Sequence, residues 1–113
     1  MLMVKLHHSV QREAIVEEQK ELKIDLGCGP NPKPGYVGVD KVAGPGVQHV
    51  LDLEEAQLPF PDNSVSAVNA DQLLEHINNL IPLMNEIYRV CRNGAIFHLW
   101  IVYTCFCKIV FAV

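Results

Sequence analysis

The chain is short of positive charge: nine lysines and arginines stand against thirteen aspartates and glutamates, a formal net charge of −4 over 113 residues. That leaves no basic footprint for nucleic-acid phosphates, although a nucleic-acid substrate held by other sequence is not excluded. Metal-ligand spacing is missing too. Cys28, Cys91, Cys105 and Cys107 match no zinc finger or ribbon, and Cys105-x-Cys107 alone is a weak metal signal, so no metal is expected. The start does not have the shape of a secretory leader, because the apolar Met1–Leu6 gives way at once to His7, His8, Gln11, Arg12 and Glu13. Reduced thiols and a cytoplasmic location follow as expectations. Residues 95–113 are apolar and free of acid, yet His98 and Lys108 interrupt them and β-branched and aromatic residues dominate, so no membrane span is expected.

What is present is enough for one packed domain. Half of the residues are hydrophobic, and the length suits one domain rather than two. Val10–Glu21, rich in Glu, Gln and Lys around Ala14 and Ile15, predicts a solvated lead-in helix, and residues 1–21 are set apart as a helical lead-in. Leu22–Leu26 reads as a first strand ending in a glycine turn. Asn31-Pro-Lys-Pro-Gly35 cannot be regular helix, since proline removes backbone donors and restricts its predecessor. Tyr36–Asp40, Val47–Leu51 and Val65–Ala70 read as further strands, with proline-broken loop over Leu58–Asn63. From Gln72 to Cys91 the apolar residues Leu73, Leu74, Ile77, Leu80, Ile81, Met84, Ile87 and Tyr88 recur in steps of three and four, the spacing of a helix. Pro82 divides that stretch or starts a helix near its own position. Asn93-Gly94 ends it, and Ala95–Tyr103 is a strongly apolar fifth strand. The order of elements predicts an α/β fold with a mostly parallel, twisted sheet and flanking helices.

Two placements carry chemistry. Lys23-Ile-Asp-Leu-Gly-Cys-Gly-Pro30 puts a Gly-x-Gly turn where a strand's carboxyl end opens into a crevice, so that backbone can approach a ligand with no Cβ in the way. Asp25 stands beside it as an unpaired acid able to accept from a ligand's ammonium group; an isolated turn of this kind would need glycine for shape alone. Tyr36-Val-Gly-Val-Asp40 ends a second strand in an acid whose two oxygens can accept both hydroxyls of a ribose. A nicotinamide-dinucleotide domain fits poorly. The third glycine of that fingerprint is replaced by a proline-rich loop, and Asp40 arrives too soon after the motif.

Together these placements resemble the class I (Rossmann-like) S-adenosylmethionine-dependent methyltransferases. Asp25-Leu-Gly-Cys-Gly-Pro30 matches their first motif, Asp40 their second-strand acid, and Asp52-Leu53 the segment along the adenine. Leu58-Pro-Phe-Pro-Asp-Asn-Ser-Val65, Asp71-Gln-Leu-Leu-Glu-His-Ile77 and Glu86-Ile-Tyr-Arg-Val-Cys-Arg-Asn-Gly94 match three later motifs in the same order. The resemblance spans residues 22–103 and implies a Rossmann-like core that binds S-adenosylmethionine. By it, Gly27, Cys28 and Gly29 line the methionine part, Asp25 helps hold its amino group, Asp40 takes the ribose, Asp52 and Leu53 the adenine, and Asp71 the region near the sulfonium. Glu75 and His76 fall to a structural or cofactor-side role rather than general base, Phe60 covers apolar surface, and no catalytic residue is assigned. The implied activity is methyl transfer to an unidentified acceptor; the alternative is a catalytically incomplete module that only binds the cofactor. The family continues after its fifth strand with a helix and two more strands, one antiparallel, so the core is expected to lack its last strands and 104–113 to be an atypical tail. That leaves the fifth strand as an open edge, through which a homo-oligomer is expected to form.

Overall fold

The computed structural model describes residues 21–55, 57–102 and 106–112. Six strands, β1 (Leu22–Leu26), β2 (Val37–Asp40), β3 (Val47–Val50), β4 (Val65–Asp71), β5 (Cys91–Val102) and β6 (Phe106–Ala112), form one sheet in the order β3-β2-β1-β4-β5-β6. The first five pair in parallel and β6 runs antiparallel to β5. Sequence order reverses between β1 and β4, so their carboxyl ends flank the topological switch point where such sheets bind ligands. Between β4 and β5 lie a 3-10 turn (Leu74–His76) and a single α-helix, α1 (Leu80–Val90). The expected α/β fold with a mostly parallel sheet is present. The lead-in helix over Val10–Glu21 falls, but for Glu21, outside the described residues.

The core follows from strand alternation and register. Ile24 and Leu26 lie beside Val37 and Val39 on one side and Val68 and Ala70 on the other, and Phe97 and Leu99 continue the row. Leu83, Ile87 and Val90, one stripe of α1, are buried in the same cluster, as expected of a helix packed by one face. The opposite sheet face carries Asp25, Asn69, His98 and, at the carboxyl end, Asp71 and Trp100 in adjacent positions. Pro82 sits in the first turn of α1, where its missing N–H costs nothing. The helix stops at Val90 and β5 begins at once, earlier than Asn93-Gly94 suggests. Pairing jumps from Val65–Cys91 to Ala67–Ile96, so Arg92–Gly94 forms a bulge at the start of the strand, with Gly94 at φ +81.

A second difference lies at the chain's end. Phe106–Ala112 is a sheet strand paired along β5 from Ile96–Ala112 to Val102–Phe106. The fifth strand is therefore not an edge, and the expected self-association through it has no free row of backbone groups to use. Direct antiparallel pairing satisfies those groups with a nearby segment of high β-propensity.

The proline-broken connection expected after the first strand is loop, as its prolines require. Residues 27–36 and 41–46 join parallel neighbours with no helix, and the first lies close against the sheet. A Cβ on Gly38 would stand 2.5 Å from the Gly46 carbonyl oxygen and 2.9 Å from Cys28 Sγ, and one on Gly46 would stand 2.3 Å from Pro32 Cδ. Gly38→Ala should destabilise the chain by about 1–3 kcal/mol through overpacking. Gly44→Ala, whose nearest neighbour is an ordinary 3.5 Å away, should change stability by no more than about 0.5 kcal/mol. Urea unfolding of the two variants checks this contrast, and equal midpoints would refute the close packing.

Candidate functional site

At the carboxyl end of β1 the chain turns through Gly27 at φ +66 and Gly29 at φ +64. The Gly27 N–H donates to the Val39 carbonyl at 2.8 Å, which ties the turn to β2. With no helix in 27–36 and with Pro30, Pro32 and Pro34 in it, this segment has few internal partners for its N–H groups. Side-chain carboxylates supply them. Asp40 Oδ2 accepts from the Gly29 N–H at 2.8 Å and Oδ1 from the Val42 N–H at 3.0 Å. Asp25, buried, accepts from the Lys33 N–H at 2.8 Å through Oδ2 and from Asn69 Nδ2 at 2.9 Å through Oδ1. The acid expected to be unpaired is thus engaged at both oxygens, because register sets Asn69 beside it and the proline loop needs an acceptor beneath it.

These bonds tune Asp40. Burial pushes the Asp40 carboxyl up, but the N–H groups of Val42, Gly29 and Lys41, with the Lys41 charge, outweigh it and hold the group below the usual carboxylate range. The Cys28 thiol moves the other way, raised by burial and by the negative charges of Asp25 and Asp40. It is accordingly a poor nucleophile at neutral pH.

Two cavities open at this end of the sheet and share Gly27. One, of about 300 Å³, lies between Gly27 and Asp40 on one side and Leu51, Asp52, Leu53 and Glu54 on the other, with Leu73, His76 and Ile77 closing it. The second, of about 380 Å³, is bounded by Asp25, Cys28, Lys33, Asn69, Asp71 and Trp100. Leu53 is buried and Asp52 is exposed, its Oδ1 accepting from the Glu54 N–H at 2.9 Å. Of the residues singled out from the sequence, Gly27, Asp40, Asp52 and Leu53 meet at the first cavity and Asp25, Gly27, Cys28 and Asp71 at the second. Gly29 lines neither; its N–H orients Asp40.

A methyltransferase domain family model matches residues 28–99. The chain belongs to this family. An uncharacterized methyltransferase of Schizosaccharomyces pombe is 31% identical over 100 residues, covering 63% of this chain and 36% of the relative. In fold, the chain is similar to the YcgJ protein of Bacillus subtilis (TM-score 0.60, 20% identity, 86% of this chain and 51% of that one). It is also similar to a candidate S-adenosyl-L-methionine-dependent methyltransferase of Methanococcus maripaludis (TM-score 0.54, 18% identity, 76% and 51%). The chain thus spans about a third of the curated relative and half of these solved structures.

Within this methyltransferase core, two family-like motifs turn out to lock onto each other. Arg89 donates through Nε to Glu86 Oε2 at 2.8 Å, through Nη1 to the Phe60 carbonyl and Asp62, and through Nη2 to the Leu58 carbonyl and Glu86 Oε1. Glu86 Oε1 also accepts the Leu58 N–H at 2.7 Å. Asn63 and Ser64 donate to the carbonyls of Arg89 and Val90, and Glu54 accepts the N–H groups of Asn78 and Asn79. The segment between β3 and β4 therefore caps α1 at both ends, which the termini of a helix require. Phe60 is buried, edge-on to His49 with ring centroids 5.2 Å apart, and covers apolar surface as expected. His76 lines the first cavity, while Glu75 lines neither and lies 4.0 Å from His76 Nε2. Lys41, Glu54, Asn69 and Trp100 were not singled out from the sequence; only strand register and the capping contact bring them in. Among the described residues no group of His, Cys, Asp and Glu could hold a metal, and no helix is long and apolar enough to cross a membrane.

Arg89 hydrogen bonds hold the Glu86 carboxyl below the usual range against burial, with help from the Leu58 N–H and the Arg89 charge. Asp40 and Glu86 are both depressed in the fold. Their contribution to stability is therefore complete above about pH 4, the unfolded carboxylate range, and is lost as pH falls through the lower folded values. The thermal midpoint should fall on acidification from about pH 5 to about pH 3, less steeply in Glu86→Gln. A midpoint that holds or rises over that interval would contradict the assignment.

Proposed function

We propose that this chain is the S-adenosylmethionine-binding part of a methyltransferase acting on an acceptor outside the chain. The observation that carries the reading is the crevice split at Gly27, with a ribose-competent acid on one side and a second cavity on the other. Its chemistry fits the cofactor. A Cβ on Gly27 would come within 2.8 Å of Leu73 Cδ1, so bare backbone is needed at the point the two cavities share. The walls offer carboxylate acceptors for hydroxyls and ammonium, and Leu51, Leu53, Leu73 and Ile77 offer apolar surface for a base.

Asp40 would hold the ribose. Each carboxylate oxygen keeps a lone pair beyond the bond from Gly29 or Val42, enough for the two hydroxyls. The N–H groups already on it fix its rotamer and keep it ionised. Asp52 and Leu53 would flank the adenine, and Asp25, Cys28 and the main chain of 27–29 the methionine part. Asp25 would act in two ways, holding the loop through Lys33 and lending negative charge to a cationic ligand. The bound cofactor supplies a methyl group on a sulfonium already activated for displacement, so the protein's share is positioning. His76 stands on the nucleoside side and is not assigned as a base. A cofactor-binding module without a complete acceptor pocket is the second reading. The free thiols Cys28 and Cys91 suit a reducing compartment such as the cytoplasm.

Calorimetric titration with S-adenosylmethionine and S-adenosylhomocysteine should show one site for each. Asp40→Ala should weaken binding by about 1–3 kcal/mol, the scale of losing two hydrogen bonds, while the variant still melts cooperatively. An unchanged affinity in the folded variant removes the ribose assignment, and failure of both ligands to bind the parent chain removes the cofactor reading.

A further inference from the structure

Two sides of α1 have partners among the described residues, and a third does not. Leu83, Ile87 and Val90 are buried in the core cluster. Glu86 and Arg89 reach the segment at 58–62. The third side carries Ile81, Met84 and Tyr88, whose steps of three and four stack them in one stripe. Ile81 is 70% exposed and Tyr88 76%, while Met84 is half-buried. Packing a helix on a sheet requires one apolar stripe. A second beside it adds nothing to the packing of the described residues. Single exposed apolar side chains are ordinary on a protein surface, whereas a contiguous row marks a contact surface.

Charge, symmetry and area select the occupant. Ile81, Met84, Asn85 and Tyr88 are all uncharged, so this side has no field to steer a charged partner and meets its own copy without like-charge repulsion. Tyrosine and methionine are also residue types enriched in the centres of protein contacts. The stripe is self-complementary as well. Its midpoint falls between Met84 and Asn85, and two helices laid antiparallel about that point set Ile81 of each copy against Tyr88 of the other. That is the arrangement of a twofold contact. Ile81, Met84 and Tyr88, with Leu80 and Asn85 at their margins, leave roughly 400–500 Å² open on each copy. A pair would remove about 800–1,000 Å² from water, the range of a reversible contact rather than an obligate one.

We propose that this side of α1 is a homodimer surface, on which two copies of the chain pair antiparallel through Ile81, Met84 and Tyr88. The contact lies apart from the edge of β5, which β6 occupies, and does not draw on the cofactor reading. An area of this size corresponds to a dissociation constant between about 1 μM and 1 mM.

Sedimentation velocity of the full chain across that concentration range should show a monomer passing to a dimer and no larger species, because a twofold contact closes on itself. Tyr88→Asp and Ile81→Asp, each checked for an unaltered melting transition, should each weaken the association at least about tenfold. Val50→Asp, at an exposed apolar residue on β3, should leave it unchanged. A parent chain that stays monomeric to about 1 mM overturns the proposal. So does association that persists in both α1 variants, loss in only one of them, which antiparallel pairing forbids, an equal loss in Val50→Asp, or growth beyond the dimer.

Discussion

Two carboxylates receive the backbone N–H groups of a connection that cannot be helical, and the crevice depends on that arrangement. Residues 27–36 must leave the carboxyl end of β1 and re-enter the sheet as β2. Proline at 30, 32 and 34 rules out the helix that would satisfy their amides internally. Asp25 and Asp40 take the Lys33 and Gly29 amides instead, one beneath the loop and one beside it. Both carboxylates are thereby held in place, and the N–H groups on Asp40 keep its carboxyl below the usual range. On the proposed reading, the lone pairs that the main chain leaves over on these acids would serve a ligand.

A second set of contacts supports the crevice from below. The segment between β3 and β4 has no regular structure of its own, yet Glu54 takes the N–H groups ahead of α1 while Asn63 and Ser64 take its last carbonyls. Arg89 reaches back to Leu58, Phe60 and Asp62. Helix and loop therefore satisfy each other's orphan groups. Asp52, Leu53 and Glu54, which form one wall of the first cavity, stand at the near end of this braced segment. Leu73, His76 and Ile77 form the opposing wall at the entrance to α1. Glu54 touches both, so the width of the first cavity and the seating of the helix are set together.

The methyltransferase core of this chain has a carboxyl-end crevice but, among the described residues, no complete layer of helices. Among the described residues a single α-helix, α1, packs on one sheet face. The other face carries Asp25, Asn69, Asp71 and Trp100 in register. Close packing of the proline loop at Gly38 and Gly46 takes over part of the covering role that a crossover helix usually performs.

Much of this was legible in the residues alone. Leu22–Leu26 has the apolar content and the terminal glycine turn of a buried parallel strand, and the steps of three and four through Ile87 mark the stripe of α1. Pro82 marks its first turn. Asp40 could be placed beside Gly29 because neighbouring parallel strands bring their carboxyl ends together. What remained hidden depends on partners distant in sequence. Nothing local sets Asn69 against Asp25, which removes that acid's expected freedom; only the β1–β4 register does. Likewise Glu54 as a cap for α1, Trp100 beside Asp71, and β6 laid along the fifth strand are decided by which segments meet across the sheet. Local patterns follow from the period of one element, 2 for a strand and 3.6 for a helix, and those are written in consecutive residues. Pairings between elements are settled by the packing of the whole chain, and they set Asn69 against Asp25 and the Gly29 N–H against Asp40.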